Sequence, residues 1–393
     1  MTNWETVKKL NAGTGEERLE ALEGVAKAFV FPKADARYIN NHIHSIYSFS
    51  PYSPTAAAFM AKANGLCTAG IMDHDSMGGA KEFIAAGEMI GIPTTVGVEF
   101  RVSMANTPLA SRKTNNPDQA GVSYMTLHGV PHDRIDAVQE RFAPLRQRRN
   151  VRNKKMLEAA NRLVSPLGVS ICFEDDVLPL SNCHDGGSVT ERHLMFALSK
   201  ALIEKTGRGA GLIAALEGLD IALGGRQKSL LLDEESEFYE YDLLGVLKSA
   251  FIPKIFVPAT DECMGFEEAI RFGEEIGGIL CYPYLGDIEE SVTGDKAAQK
   301  FEDEYLDELF EVLEAYGVKA ITYMPPRNTR AQLLRLRELC KKHGMYEISG
   351  EDINSPRQAF VCKAMEDPVF ANLIDAAWAL IRHERGEKKI SLK

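Results

Sequence analysis

From about residue 37 the chain alternates short runs rich in β-branched and aromatic residues with longer runs of helical periodicity. The short runs are Arg37–His44, Thr68–Asp73, Pro93–Phe100, Val122–His128, Gly278–Tyr284, Val318–Tyr323 and Met345–Ser349. Stretches carrying Ala, Leu and Glu separate most of them. Strands alternating with helices of this length predict βα units and a parallel sheet. Seven such strands predict an α/β barrel, closed or nearly so, rather than a sandwich. One helix carries its own punctuation: Thr329 and Gln332 make a capping-box pair, Leu333, Leu336, Leu339 and Cys340 make an apolar stripe, and Gly344 closes it. An amphipathic stretch near Glu16 to Phe29 reads as a packing extension of the main domain. The alternation breaks between about 130 and 250, where Asp136–Val164 and Thr190–Thr206 read as helix, so this region is an insertion between the fourth and fifth strands. The predicted organisation is a helical extension (1–36), a first barrel part (37–129), a mainly helical insertion (130–250), a second barrel part (251–365) and a C-terminal helix (366–393).

Composition changes this picture little. With 393 residues, 45% hydrophobic and 26% charged, the chain is an ordinary globular one, which excludes collagen, coiled-coil and disordered classes. A net charge of −11 disfavours a stable nucleic-acid complex or an anionic membrane surface as partner. The N-terminal MTNWETVKKL lacks the apolar stretch of a secretory signal, and no run of 18 apolar residues occurs. The seven cysteines are scattered without a C-x-x-C pair, so reduced thiols in a cytoplasmic protein are expected. Two charge runs lie in the insertion. Residues 144–155 hold six bases and no acid and read mainly as a solvated helical face; residues 233–242 hold six acids and no base and read as a solvated linker.

The candidate chemistry sits at strand ends. In Asn41-His42-Ile43-His44 the alternation of a strand puts both imidazoles on one side. One His-x-His alone is more often plain strand polarity than a metal grip. Repetition shifts the balance: the second strand ends in Asp73-His74-Asp75, the third in Glu99, the fourth in His128, and the last runs into Gly350-Glu351-Asp352-Ile353-Asn354. In a βα barrel all strand C-termini share one face, so these residues converge on one mouth. The helix opened by Ser188-Val189-Thr190-Glu191 has a capping-box spelling with His193 just inside, and alone that His reads as a core-edge residue.

Together these motifs resemble the polymerase and histidinol phosphatase (PHP) family of metal-dependent phosphoesterases. The likeness covers roughly 37–130 and 255–360 and rests on His42-x-His44, Asp73-His74-Asp75, Gly97-Val98-Glu99, His193 and Gly350-x-Asp352-x-Asn354. It implies a distorted (β/α)7 TIM-like barrel holding two or three divalent ions (Mn, Zn or Fe). His42, His44, His74, Glu99, His128, His193, Asp352 and Asn354 are the implied metal ligands. Asp73 and Asp75 are the implied catalytic carboxylates, acting as orienters of imidazole N–H groups, and for Asp75 capping of the next helix is an equal reading. The chain departs from the family at four places. Phe49 or Ser50 stands where members carry an acid or His, Thr126 where the fourth strand carries His, Tyr282-Pro283 where His-Pro is usual, and Asn354 where the terminal His falls. These departures imply that one of three ions is missing or weakly held. A small phosphorylated substrate is expected, met by Arg101, Arg149, Tyr282 and Arg327. The alternatives are a partly degenerate barrel that binds metal or phosphate without turnover, and an amidohydrolase-like C–N hydrolase.

Overall fold

The computed structural model describes residues 3–287 and 300–390. In chain order the elements are α1 (Asn3–Leu10), α2 (Gly15–Ala28), β1 (Asp35–Ile43), α3 (Pro54–Ala63), β2 (Leu66–His74), α4 (Ala80–Ile90), β3 (Thr94–Ser103) and β4 (Val122–His128). They continue with α5 (Ile135–Val164), α6 (Glu191–Thr206), α7 (Ala210–Gly218), α8 (Gly225–Leu232), α9 (Tyr239–Ile255), β5 (Met264–Gly265), α10 (Phe266–Ile276) and β6 (Ile279–Tyr284). The last are α11 (Leu306–Tyr316), β7 (Ala320–Tyr323), α12 (Arg330–Lys342), β8 (Tyr346–Ser349) and α13 (Ala371–Glu384). All seven strand runs read from the sequence are present, and β5 is a two-residue addition paired with the end of β3. At α12 the Thr329–Gln332 box forms as expected, and Gly344 takes a positive φ of 64° just past the end.

The sheet runs β1-β2-β3-β4-β6-β7-β8. It closes where the segment after β8 meets β1: His44 N–H donates to Ile353 O (3.0 Å) and Ile353 N–H to His42 O (3.2 Å). The expectation of an all-parallel sheet needs one correction. β4 runs antiparallel to both neighbours, with Glu99 opposite Thr126 and Arg101 opposite Tyr124. The cause is local: β3 passes into β4 through a connection over 104–121 with no crossover helix, and a chain that returns without a helix returns antiparallel. The N-terminal end of β4, not its C-terminal end, therefore joins the mouth.

Among the described residues the buried apolar side chains form two large cores and one small cluster. One fills and surrounds the barrel and takes in Val7, Leu10, Leu22 and Val25 of α1 and α2. The other lies inside the insertion, from Met156 to Ile255. The 30-residue α5 joins them: Ile135, Val138, Phe142 and Leu145 pack on the barrel core, and Met156, Leu157, Ala160 and Val164 on the insertion core. α13 packs on β1, β3 and β8 and supplies Leu380 to the cluster of Ile279, Cys281, Ala320 and Ile348. The acidic run 233–242 is only partly the solvated linker expected. Tyr239 is buried, and the Asp242 side chain is 5% exposed, in a bidentate pair with Arg357 (2.5 and 2.7 Å). None of the seven cysteines is paired with another. Among the described residues no helix is long and apolar enough to cross a membrane.

Candidate metal centre

The ends of β1 and β2, the middle of β3 and the segment after β8 bring five ligand-type side chains together. Glu99 Oε2 lies 3.1 Å from His74 Nδ1, 3.6 Å from His42 Nε2 and 3.8 Å from His44 Nε2. His44 Nε2 lies 3.1 Å from Asp352 Oδ1. Two groups have all their ligand atoms within 4.8 Å of one another: His42, His44 and Asp352, and His44, His74 and Glu99. The rings of His44 and His74 stack at 4.8 Å between centroids.

Proton accounting shows what these atoms are ready for. Asp73 is buried and accepts from Ser45 N–H (2.7 Å), Ser45 Oγ (2.6 Å) and Ser48 Oγ (2.6 Å). Ser48 has thereby given away its only hydrogen, so across the 3.1 Å contact with His44 Nδ1 it accepts. His44 thus carries a proton on Nδ1, and its Nε2 lone pair faces the Asp352 carboxylate. Two acceptors 3.1 Å apart require a cation between them, either a proton or a metal ion. Burial works against charge on His44, but Asp352 and Glu99 overcome it and raise its pKa. Burial also pushes Glu99 up, yet His74, His42 and His44 outweigh it and hold the carboxyl at about 2. His74 is kept neutral, its pKa lowered to about 3 by burial against the pull of Glu99. His42 Nε2, His44 Nε2 and His74 Nδ1 are buried with no hydrogen-bond partner. Buried polar atoms are rarely left so, and imidazole and carboxylate donors without thiolate suit Mn²⁺, Zn²⁺ or Fe²⁺. The residues present therefore fit a divalent metal centre.

The other expected ligands fall outside these two groups of ligand atoms. Asn354 Nδ2 donates to Asp352 Oδ1 (2.6 Å) and so orients that carboxylate. His128, at the end of the reversed β4, lies opposite Ile279 at the start of β6 and within reach of the charges of His42 and Glu99. It is buried, with Nε2 unpartnered, and belongs to neither ligand group. Thr126 is the β4 residue level with Glu99, and its Oγ1 is buried and unpartnered too. His193 is the capping-box partner of Thr190, two residues later than the cap spelled in the sequence. Its Nδ1 accepts from the Thr190 N–H (3.0 Å), so its proton sits on Nε2, and the Phe49 ring covers it edge-on at 5.0 Å. A ring in that tautomer has no lone pair on Nε2 to offer an ion. Phe49 holds its place with a positive φ of 90°.

The expected phosphate binders divide. Arg101 and Arg149 line a cleft of ≈ 660 Å³ that opens above His44 and His74. Both are already paired. Arg101 meets Glu191 (2.9 Å) and Glu262 (2.9 Å); Arg149 meets Asp75 (2.5 Å) and Glu191 (3.2 Å); Arg152 meets Glu262 (2.8 Å) and Glu191. Three guanidiniums thus balance three carboxylates at the seam between barrel and insertion. Asp75 is used here, and α4 begins without a side-chain cap, so its reading as a helix cap is corrected. Tyr282 points outward from the barrel: its hydroxyl donates to Glu302 and accepts from Asn115 N–H (3.1 Å). Arg327 Nε donates to Leu285 O (3.1 Å) and is not among the side chains lining the cleft. Sequence reasoning did not single out Glu262, Arg152 as a structural partner, or Tyr124. Tyr124 lies level with Arg101 on β4, faces the cleft and holds its ring 5.8 Å from that of His74. Only the strand reversal puts it there.

No family model matches the chain, and no curated protein matches it by sequence. Solved structures do. A candidate metal-dependent phosphoesterase from Bifidobacterium adolescentis superposes with a TM-score of 0.50 at 18% identity, covering 87% of this chain and 98% of that one. The chain shares the fold of that structure. An amidohydrolase from Chromobacterium violaceum, with bound sulfate and no metal, superposes with a TM-score of 0.54 at 18% identity, covering 81% and 88%. At such identity the likeness is one of fold, and at that level the resemblance read from the motifs holds.

Proposed function

We propose that this protein is a metal-dependent phosphoesterase that hydrolyses a small phosphorylated substrate. The observation that carries the reading is the convergence of His42, His44, His74, Glu99 and Asp352 with three buried, unpartnered imidazole nitrogens. His42, His44 and Asp352 would hold one ion, and His74 with Glu99 a second. One nitrogen serves one ion, so His44 Nε2 belongs to the first. Divalent ions supply a lowered water pKa and a clamp for the phosphoryl oxygens. The chain's own groups do the rest. Asp73, through Ser48, fixes the His44 tautomer. Asn354 fixes Asp352. Arg101 and Arg149 line the cleft, where their charge is balanced by Asp75, Glu191 and Glu262.

C–N bond hydrolysis is the second reading, supported by the amidohydrolase that shares the fold. Elemental analysis together with Mn²⁺-dependent release of phosphate from p-nitrophenyl phosphate tests the first. Ion binding with turnover of amides or ureides and none of phosphate esters would establish the second. Tight ion binding with turnover of neither class would leave a binding module.

A further inference from the structure

Tyr124 is the one hydroxyl of the cleft whose hydrogen is uncommitted while its lone pairs are taken. Arg101 donates to Tyr124 Oη twice, from Nε (3.1 Å) and from Nη2 (3.0 Å). The phenol oxygen is therefore filled as an acceptor, and no acceptor for its own hydrogen exists among the described residues. Arg101 is not free to move away, because Glu191 and Glu262 hold it from the other side at 2.9 Å each. The backbone is fixed as well: Asn115 Oδ1 accepts from Tyr124 N–H (2.8 Å) and Asn115 Nδ2 donates to Tyr124 O (3.0 Å). The side chain lines the cleft beside His44 and His74, with its ring tilted against His74. Burial outweighs the pull of Arg101 and raises the phenol to about 12, so it keeps its proton at neutral pH, while the two guanidinium N–H groups stand ready to receive negative charge on its oxygen.

We propose that Tyr124 is the proton donor to the leaving oxygen of the substrate ester. This inference rests on the phosphoesterase reading. As the P–O bond to the leaving group breaks, its electron pair stays on the leaving oxygen, which takes the Tyr124 proton. The phenolate is held by the two Arg101 N–H groups. The oxygen added to phosphorus comes from water, and the proton that water gives up restores the phenol. The balance is ester plus water to alcohol plus phosphate. Arg101 is the positioning residue in this scheme and does not meet the substrate through Tyr124.

The test is leaving-group dependence. p-Nitrophenolate departs without a proton, whereas an alkoxide does not. In Tyr124→Phe, kcat/KM for an alkyl phosphate should fall by about 10²–10⁴-fold and that for p-nitrophenyl phosphate by less than about 10-fold. Bound Mn²⁺ per chain and the Kd for inorganic phosphate should be unchanged. Across a series of aryl phosphates, the wild-type rate should depend weakly on leaving-group pKa and that of the variant steeply. Equal losses on both esters, or a steep dependence already in the wild type, overturn the assignment while leaving the phosphoesterase reading intact. Wild-type protein that binds Mn²⁺ yet releases phosphate from neither ester overturns that reading and this inference with it. Should Tyr124→Phe fail to fold, the wild-type series decides alone.

Discussion

Glu191→Gln is the sharpest probe of how the insertion is held on the barrel. Three guanidiniums, Arg101, Arg149 and Arg152, share three carboxylates, Asp75, Glu191 and Glu262, and Glu191 touches all three arginines. The three arginine side chains are 8%, 3% and 4% exposed, so water does little to screen them. Removing one carboxylate charge changes the balance from +3/−3 to +3/−2. Breaking a buried pair by deleting one partner costs about 3–5 kcal/mol. The amide oxygen of Gln still accepts from one guanidinium, which places the expected loss near the lower end, about 3 kcal/mol. At a urea m-value of about 3 kcal/mol/M this is a midpoint shift of roughly 1 M, read by circular dichroism. The leftover charge faces a cleft open to solvent, so phosphate should stabilise the variant more than the wild type. A midpoint within about 0.2 M of wild type, with no differential effect of phosphate, would refute the network as a buried, charge-balanced one.

Three further outcomes follow from single contacts. Ser48→Ala removes the acceptor that fixes the His44 tautomer, so metal affinity should drop by about 10–100-fold with thermal stability nearly unchanged; titration with Mn²⁺ checks this, and an unaltered Kd would deny Ser48 that role. Gly97→Ala should cost about 1–3 kcal/mol, because a Cβ there would lie 2.5 Å from the backbone oxygen of Leu127, an atom that cannot swing aside; a denaturation midpoint equal to wild type would contradict the packing. Glu384 is buried against Thr95 and the Val96 N–H, with His132 at 3.6 Å, and burial pushes its carboxyl up to about 7. The native state therefore binds this proton more tightly than the unfolded chain. The associated stability, about 3 kcal/mol, is complete below the ordinary carboxylate range and lost as pH climbs through about 7. Glu384→Gln should flatten thermal stability between pH 5 and pH 8, and an undiminished fall in the variant would assign it to another group.

The strands were legible because their signal is local. Each apolar run needs only its own neighbours to be read, and α12 could be read to the residue from Thr329, Gln332 and Gly344. The direction of β4 was not legible. Val122–His128 has the same composition as its parallel neighbours, and what reverses it is the course of residues 104–121, whose irregular path leaves no periodic trace. That single unread fact put Tyr124 into the cleft. α5, which is one helix across both cores, shows that a change of pattern need not coincide with a break in the chain.

The site divides along the same line. His42, His44, His74 and Asp352 were visible because each stands at a strand end or just past one, and strand ends of parallel units must meet; Glu99 was visible with them, although β3 continues past it to Ser103. The partners that ready them were not visible. Ser45 and Ser48 spend Asp73, Asn354 spends one bond on Asp352, and Thr190 spends the Nδ1 of His193. Each of these is a question of which atom holds a proton, and a one-dimensional pattern carries residue types, not proton positions. His193 makes the point most directly. As a residue type it is a ligand; with its Nδ1 accepting a backbone N–H it is a donor. The same argument, applied to an oxygen in place of a nitrogen, is what separates Tyr124 from the other hydroxyls of the cleft: its acceptor capacity is filled by Arg101, so the direction of its remaining bond is set before any substrate arrives.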